Sequence, residues 1–225
     1  MRNIAPTAAA AALILCNASA ASAADDSQLW LGGTATVKLS DKWRFSQEVV
    51  TRFSDHRDGL YEVESNSLLG YKLNKTVTLW AGYTHNPQYL AGKFRVMEHR
   101  TREQVTFDRI AQLGSAKLSG RLRLEQRWRD GFDGTAWRLR PFAKLSAPLA
   151  GKTSLVLSHE SFVDLNSTSF QHQSGYGRMR NFVGVSVPLN KAIGLEAGYL
   201  NQHGFVRHGP DTTDHVASIS LSASL

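Results

Sequence analysis

The chain has 225 residues, a formal net charge of +7 and one cysteine, Cys16. Its lysines and arginines are spread at strand spacing among acidic residues and form no basic block, which argues against nucleic acid as a partner. The apolar run from Ala8 to Leu15 is much shorter than the roughly 20 residues that a membrane-spanning helix needs. No later segment supplies such a run, so the sequence excludes a helical membrane anchor.

The N-terminus has the pattern of a cleavable signal peptide. Arg2 precedes the apolar run, and the small residues Ala21 to Ala23 follow it. We predict that residues 1–23 are a signal peptide and that residues 24–225 form one domain. Cleavage would also remove Cys16, so disulfides contribute nothing to the stability of the mature chain.

From Gln28 onward, polar and apolar residues alternate in segments that turn residues separate, which predicts eleven strands and no helix. Most segments have about 10 residues or more, whereas strands of soluble domains average about 5 or 6 and a tilted membrane strand needs about 9 to 11. Their length therefore favours a membrane barrel. The predicted strands lie near residues 29–39, 43–53, 62–73, 76–84, 96–107, 118–129, 136–147, 152–162, 178–188, 193–202 and 213–225.

The connections between these segments alternate between short turns and longer polar loops, which is the pattern of outer-membrane barrels with their short turns in the periplasm. Bacterial barrels made from one chain normally have an even number of strands, so we expect a true number of 10 or 12. The short turns lie near 40–42, 74–75, 148–152 and 188–192, and longer loops follow Phe53, Thr84, Phe162 and Gln202.

The sequence thus predicts an all-β fold: a transmembrane, antiparallel, up-and-down β-barrel of about 10–12 strands, preceded by a cleavable signal peptide. The last segment supports this fold, because Ala217, Ile219 and Leu221 alternate with serines up to the C-terminal Leu225. We expect the protein to lie in the outer membrane. Its expected partners are outer-membrane lipid and lipopolysaccharide and the barrel-assembly machinery, with no nucleic acid, and the pattern leaves the oligomeric state open.

The stretch from Arg121 to Arg129, RLRLEQRWR, shows the alternation most clearly. Arginines and Glu125 occupy one face of this predicted strand, and leucines, Gln126 and Trp128 occupy the other. In a soluble sheet the charges would face water, whereas in a membrane barrel the apolar side faces lipid and the charges face the lumen. The predicted barrel therefore has a charged lumen.

Extending the alternation to the other strands gives a set of lumen-facing charges of both signs. Early strands contribute Arg44, Glu48, Arg52, Glu62 and Glu64. The candidate lumen or ligand residues are Glu98, Arg100, Arg102, Arg121, Arg123, Glu125, Arg127, Arg138, Arg140, Glu160, Arg180 and Glu196.

Two interpretations of this lumen remain open. The charges could pair across a narrow barrel and close it as a structural plug. Alternatively, because arginines outnumber acids between Arg121 and Arg140, unpaired donors could bind or pass a carboxylate, sulfate or phosphate. The second interpretation predicts a narrow anion-preferring channel or a ligand-binding barrel.

Catalytic and metal sites receive little support from the sequence. Ser158-His159-Glu160 cannot be a catalytic triad, because neighbouring strand residues point to opposite faces and His159 is separated from the other two. The histidines show no metal-binding spacing, and the mature chain has no cysteine ligand. We therefore expect no enzyme activity, no metal and no cofactor, with a surface-facing enzyme acting on lipid or lipopolysaccharide as the alternative.

Several segments resemble the Domain of Unknown Function 2490 family, an uncharacterised group of Gram-negative secreted or outer-membrane β-barrel proteins. They are Glu98 to Gln104, RLRLEQR from Arg121, Arg138 to Pro141, and GYLNQ from Gly198. The resemblance extends from about Trp30 to the end of the chain. It implies a barrel in the outer membrane without an established activity, and it assigns no catalytic residues.

Overall fold

The structure is a computed structural model and describes residues 25–225. The predicted signal peptide, residues 1–23, lies outside the described residues. The described chain is all-β, and none of it forms a helix long and apolar enough to cross a membrane. The strands are β1 (Asp25–Lys38), β2 (Trp43–Ser54), β3 (Gly59–Lys72), β4 (Val77–Leu90), β5 (Lys93–Leu113), β6 (Ala116–Arg129), β7 (Ala136–Ala150), β8 (Thr153–Asp164), β9 (Gly175–Pro188), β10 (Ile193–Gly204) and β11 (Thr212–Ser224).

The eleven strands form one closed barrel in which each strand pairs antiparallel with the next. Closure comes from a parallel pairing of β1 with β11, from Asp25 opposite Thr213 to Thr36 opposite Ser224. The eleven strands confirm the predicted eleven segments and the predicted range of about 10–12, while the expectation of an even number is wrong. A parallel closing pair accommodates an odd number, and it still satisfies the backbone groups that an open edge would leave unpaired.

The two ends of the barrel differ in their connections. The end that we call the short-turn end carries residues 39–42, 73–76, 114–115, 151–152 and 189–192. The opposite end, the long-loop end, carries residues 55–58, 91–92, 130–135, 165–174 and 205–211. The prediction of long loops after Phe53 and Thr84 is wrong, because only residues 55–58 and 91–92 connect the strands there. The strands continue instead into tight turns, one of which places Ala91 and Gly92 at φ values of 49° and 70°.

The outer wall of the barrel is apolar and its interior is charged, the reverse of a soluble protein. On β6, Leu122 points outward and is 45% exposed, whereas Glu125 points into the lumen and is 0% exposed. Leu31, Leu157 and Ile219 are other outward residues with large exposed side chains. The predicted orientation of the charged strand is thus confirmed.

The parallel closure predicts which cysteines can cross-link. Leu31 and Ile219 are register partners on the outer wall, so their Cα atoms lie within the roughly 4.4–6.8 Å that a disulfide requires. In a Cys16→Ser background, Leu31→Cys with Ile219→Cys should form an intramolecular disulfide on oxidation, measured by gel mobility and thiol counting. Leu31→Cys with Leu195→Cys should not, because β10 is not paired with β1. Equal cross-linking of the two pairs would contradict the closure.

Candidate functional site

The middle of the lumen is occupied by four buried glutamates and the arginines that contact them, which we call the charged layer. The glutamates are Glu64 from β3, Glu98 from β5, Glu125 from β6 and Glu160 from β8. Strand register brings the charges together, because Glu125 lies directly opposite Arg102 on β5 and Arg138 on β7. Directly opposite side chains on one face are close enough to interact.

Glu125 is at the centre of the layer and is completely buried. Arg138 donates to its Oε2 from Nη2 at 2.7 Å and from Nε at 3.0 Å. Arg140 donates from Nη1 to Oε1 at 2.7 Å, and Arg102 Nε lies 3.4 Å from the same oxygen. Arg123 Nη1 lies 3.7 Å from that oxygen as well, so one carboxylate balances part of the charge of four guanidinium groups.

Glu98 forms a second centre toward the long-loop end. Its oxygens accept hydrogen bonds from Arg100 Nε at 2.7 Å, Arg127 Nε at 3.0 Å and Arg129 Nε at 2.6 Å. These charge-assisted hydrogen bonds are about twice as strong as neutral ones. Glu98 therefore ties β5 to β6.

Glu64 and Glu160 extend the layer to the neighbouring strands. Glu64 lies 3.2 Å from Arg52 Nη2 and 3.3 Å from Arg100 Nη1, which joins β2 to β5 across β3. Glu160 accepts from Arg140 Nη2 at 2.9 Å and is also paired with Arg121. The layer is therefore one connected network and not a set of isolated ion pairs.

Aromatic rings complete the layer on the side of β8, β9 and β1. The Arg180 guanidinium lies 4.5 Å from the ring centre of Trp30 and 4.7 Å from that of Phe162. Arg52 stacks on Trp30 and Arg140 stacks on Phe162, each at 4.4 Å. Such cation–π contacts are strongest where the cation has lost its water.

On the long-loop side of the layer, the lumen opens into a cavity of about 660 Å³, which we call the vestibule. Nine arginines and five carboxylates line it. Glu98, Glu125 and Glu160 of the charged layer pair with six of these arginines, so the charges in and directly behind the lining leave an excess of one positive charge. The arginines are Arg52, Arg57, Arg100, Arg127, Arg129, Arg138, Arg140, Arg178 and Arg180. The carboxylates are Asp26, Glu62, Glu64, Asp164 and Asp214.

Two vestibule arginines, Arg57 and Arg178, make no ion pair within residues 25–225. Arg178 is exposed in the vestibule, and its guanidinium lies 5.9 Å from the ring of Phe162. Arg57 lies 4.8 Å above the ring of Tyr61. Both guanidinium groups keep free hydrogen-bond donors for a solute.

The β8–β9 loop folds over one side of the vestibule. The buried side chain of Gln171 accepts a hydrogen bond from Arg127 Nη1 at 3.0 Å and donates one to the backbone oxygen of Asn166 at 2.8 Å. The Phe170 ring lies 5.0 Å from the Arg129 guanidinium. The loop is thus anchored to the same arginines that line the cavity.

The β10–β11 loop forms another part of the rim. The Val206 amide donates to Asp211 Oδ1 at 2.9 Å, and this hydrogen bond lowers the pKa of the Asp211 carboxyl below its ordinary value. His203 Nε2 lies 3.2 Å from the other oxygen of Asp211. These contacts hold Phe205 and Val206 at the wall of the vestibule.

The structure places eleven of the twelve candidate residues in the charged layer or at its edge. Glu196 is the exception, because it pairs with Lys144 nearer the short-turn end. Arg178, Trp30 and Phe162 were not among the candidates, although the alternation carries their signal. Each lies two residues from a polar lumen residue on its own strand, which places it on the lumen face. The candidates for that face were all polar, which is why Trp30 and Phe162 were missed.

The predicted separation of Ser158, His159 and Glu160 is confirmed, since His159 lies on the outer wall and Glu160 lies in the lumen. His159 therefore contributes nothing to the charged layer. Within residues 25–225, no three His, Cys, Asp or Glu side chains lie together in a group that could hold a metal ion.

Comparison with known proteins identifies the family. The model of the protein family of unknown function DUF2490 matches residues 27–213. The chain belongs to this family. A relative from Methylorubrum extorquens, an uncharacterised protein, is 30% identical over 199 residues, which cover 87% of this chain and 86% of the relative.

Among solved structures, the barrel is similar to LpxR from Salmonella typhimurium, with a TM-score of 0.50 and 7% identity over 80% of this chain and 83% of that one. It also matches an anion-selective porin from Comamonas acidovorans, with a TM-score of 0.39 and 13% identity over 82% of this chain and 54% of the porin. At these identities the similarity to LpxR shows the fold alone, an outer-membrane type of barrel.

The charged layer predicts a large stability cost for Glu125→Gln, because the change leaves four buried guanidinium groups without their shared charge. We expect the free energy of unfolding to fall by about 3 kcal/mol, measured by urea denaturation in lipid vesicles. Glu196→Gln removes a partly exposed ion pair and should cost less than about 1 kcal/mol. Equal losses for the two variants would contradict a stabilising role of the layer.

Proposed function

We propose that this protein resides in the outer membrane with its long-loop end facing outward, and that its vestibule binds a small anionic solute. In this orientation the short turns face the periplasm, as is usual for outer-membrane barrels. The observation that carries the proposal is that two guanidinium groups in this cavity, those of Arg57 and Arg178, make no ion pair with the described residues.

The ligand chemistry follows from the lining. Guanidinium groups bind carboxylate, phosphate and sulfate through paired, charge-assisted hydrogen bonds, and Arg57 and Arg178 have donors that no described carboxylate occupies. A cavity of about 660 Å³ lies within the roughly 300–1,000 Å³ range of small-molecule sites. A compact solute with several negative charges fits this site best.

The charged layer favours binding over transport. A solute that passed from the vestibule to the short-turn end would have to separate the contacts of Glu125 with Arg138 and Arg140, all of which are buried. Breaking a buried ion pair leaves uncompensated charge and costs several kcal/mol. We therefore propose a structural plug below a binding site, in place of the anion-preferring channel.

Binding of inorganic pyrophosphate to the refolded barrel, measured by isothermal titration calorimetry, tests the vestibule. Arg178→Ala should weaken this binding about tenfold, since it removes one charge-assisted contact worth about 1.5 kcal/mol. Affinity should also fall as salt is raised. Lys144→Ala, at the other end of the lumen, should bind as the wild type does.

The proposal is contradicted if pyrophosphate does not bind, or if Lys144→Ala weakens binding as much as Arg178→Ala. In the second case the anion would respond to the overall charge of the barrel and not to the vestibule.

A further inference from the structure

A hydrogen-bonded chain of three side chains lies on the outer wall, outside the vestibule. His159 Nε2 is 2.9 Å from Ser161 Oγ, and His159 Nδ1 is 2.7 Å from Asn181 Oδ1. His159 and Ser161 share the outward face of β8 because they are two residues apart, and Asn181 is the register partner of His159 on β9. The geometry thus follows from the strand pairing.

The donor-to-acceptor direction of these hydrogen bonds suits nucleophilic catalysis. Asn181 Oδ1 has no proton, so it accepts the hydrogen bond from His159 Nδ1–H. Nε2 then carries no proton and accepts the Ser161 hydroxyl hydrogen. A nucleophile, a base within hydrogen-bond reach and a third group that orients the base are the parts of a serine acyl-transfer site.

A hydrogen-bond donor also lies beside the nucleophile. The hydroxyl of Tyr176 lies 3.0 Å from Ser161 Oγ. With the Ser161 proton directed to His159, Tyr176 is the donor in this contact. Tyrosine hydroxyls stabilise the negative oxygen that forms when a carbonyl is attacked.

An apolar groove of about 280 Å³ extends along the outer wall from the three hydrogen-bonded side chains. Its lining comprises Phe107, Ile110, Leu122, Pro141, Phe142 and Ala143, part of Arg121, and His159 and Ser161 on β8. Ser161 is three residues before the end of β8 at the long-loop end. An acyl chain in the groove would thus run toward the middle of the membrane and place its ester bond near the surface.

We propose that Ser161 and His159, positioned by Asn181, form a site that hydrolyses acyl esters of lipids in the leaflet at the long-loop end. Ser161 Oγ attacks the ester carbonyl while its proton passes to His159 Nε2. The carbon–oxygen bond to the alcohol then breaks as His159 returns this proton to the leaving oxygen. Water, deprotonated by His159, attacks the acyl-serine, the proton returns to Ser161, and the fatty acid is released.

This site uses no residue of the vestibule, so each of the two proposals stands if the other fails. It also differs from the Ser158-His159-Glu160 sequence, whose residues lie on opposite faces. The serine that shares a face with His159 is Ser161, two residues along the strand. Considering only the residues adjacent to His159 does not reveal it.

An alkyl fluorophosphonate, which modifies activated serines with loss of fluoride, tests the site in the full-length protein in native outer membranes. Ser161 should be labelled, as identified by mass spectrometry. His159→Ala should slow labelling by about a hundredfold, the usual contribution of a general base. Asn181→Ala should slow it as well, and Asn181→Asp should restore most of the rate because it again accepts from Nδ1. Ser158→Ala, on the lumen side of the same strand, should react as the wild type does.

Heat-modifiable gel migration confirms that each variant is folded before its rate is compared. An unlabelled Ser161 in the wild type, or equal labelling in His159→Ala, would overturn the site.

Assays with two lipid substrates determine which class of lipid supplies the ester. Fatty acid release is measured from vesicles of phosphatidylethanolamine with phosphatidylglycerol, and separately from lipopolysaccharide aggregates. Release from either one that is lost in Ser161→Ala supports the proposal and names the lipid. Release from neither overturns lipid hydrolysis.

Discussion

The sharing of a few buried glutamates among many arginines is the interaction on which the lumen depends. Glu125, Glu98 and Glu160 each contact at least three guanidinium groups, so a movement of one of these arginines disturbs a carboxylate that the others share. Because the interior has almost no apolar core, these ion pairs and the rings of Trp30 and Phe162 hold the strands in register from within. The same shortage of acids leaves the vestibule with its positive charge.

The alternation of the β-strand divides the chemistry of the protein between two surfaces. On β8, Glu160 and Phe162 face the charged layer, whereas His159 and Ser161 lie on the outer wall. A shift in register of one residue would place both sets on the wrong side. The ion pairs that fix the lumen therefore also fix the geometry of the outer wall.

Much of this arrangement could be predicted from the sequence because it depends on period two. The eleven strand segments, the charged lumen and nearly all of the layer follow from alternation in stretches such as Arg121 to Arg129, whereas the odd number of strands in the closed barrel does not. The parallel closure could not be predicted, since pairing of β1 with β11 depends on the geometry of the whole barrel. The contact of Ser161 with His159, and the place of Trp30 between two arginines, depend on side-chain positions that composition does not encode.

The current through single barrels in a planar lipid bilayer tests the closed charged layer most directly. If the layer fills the lumen, the wild-type protein shows no steady current at any salt concentration that leaves the barrel folded. A steady, anion-selective current through the wild-type barrel would contradict the closed layer and would make the arginines the lining of a channel.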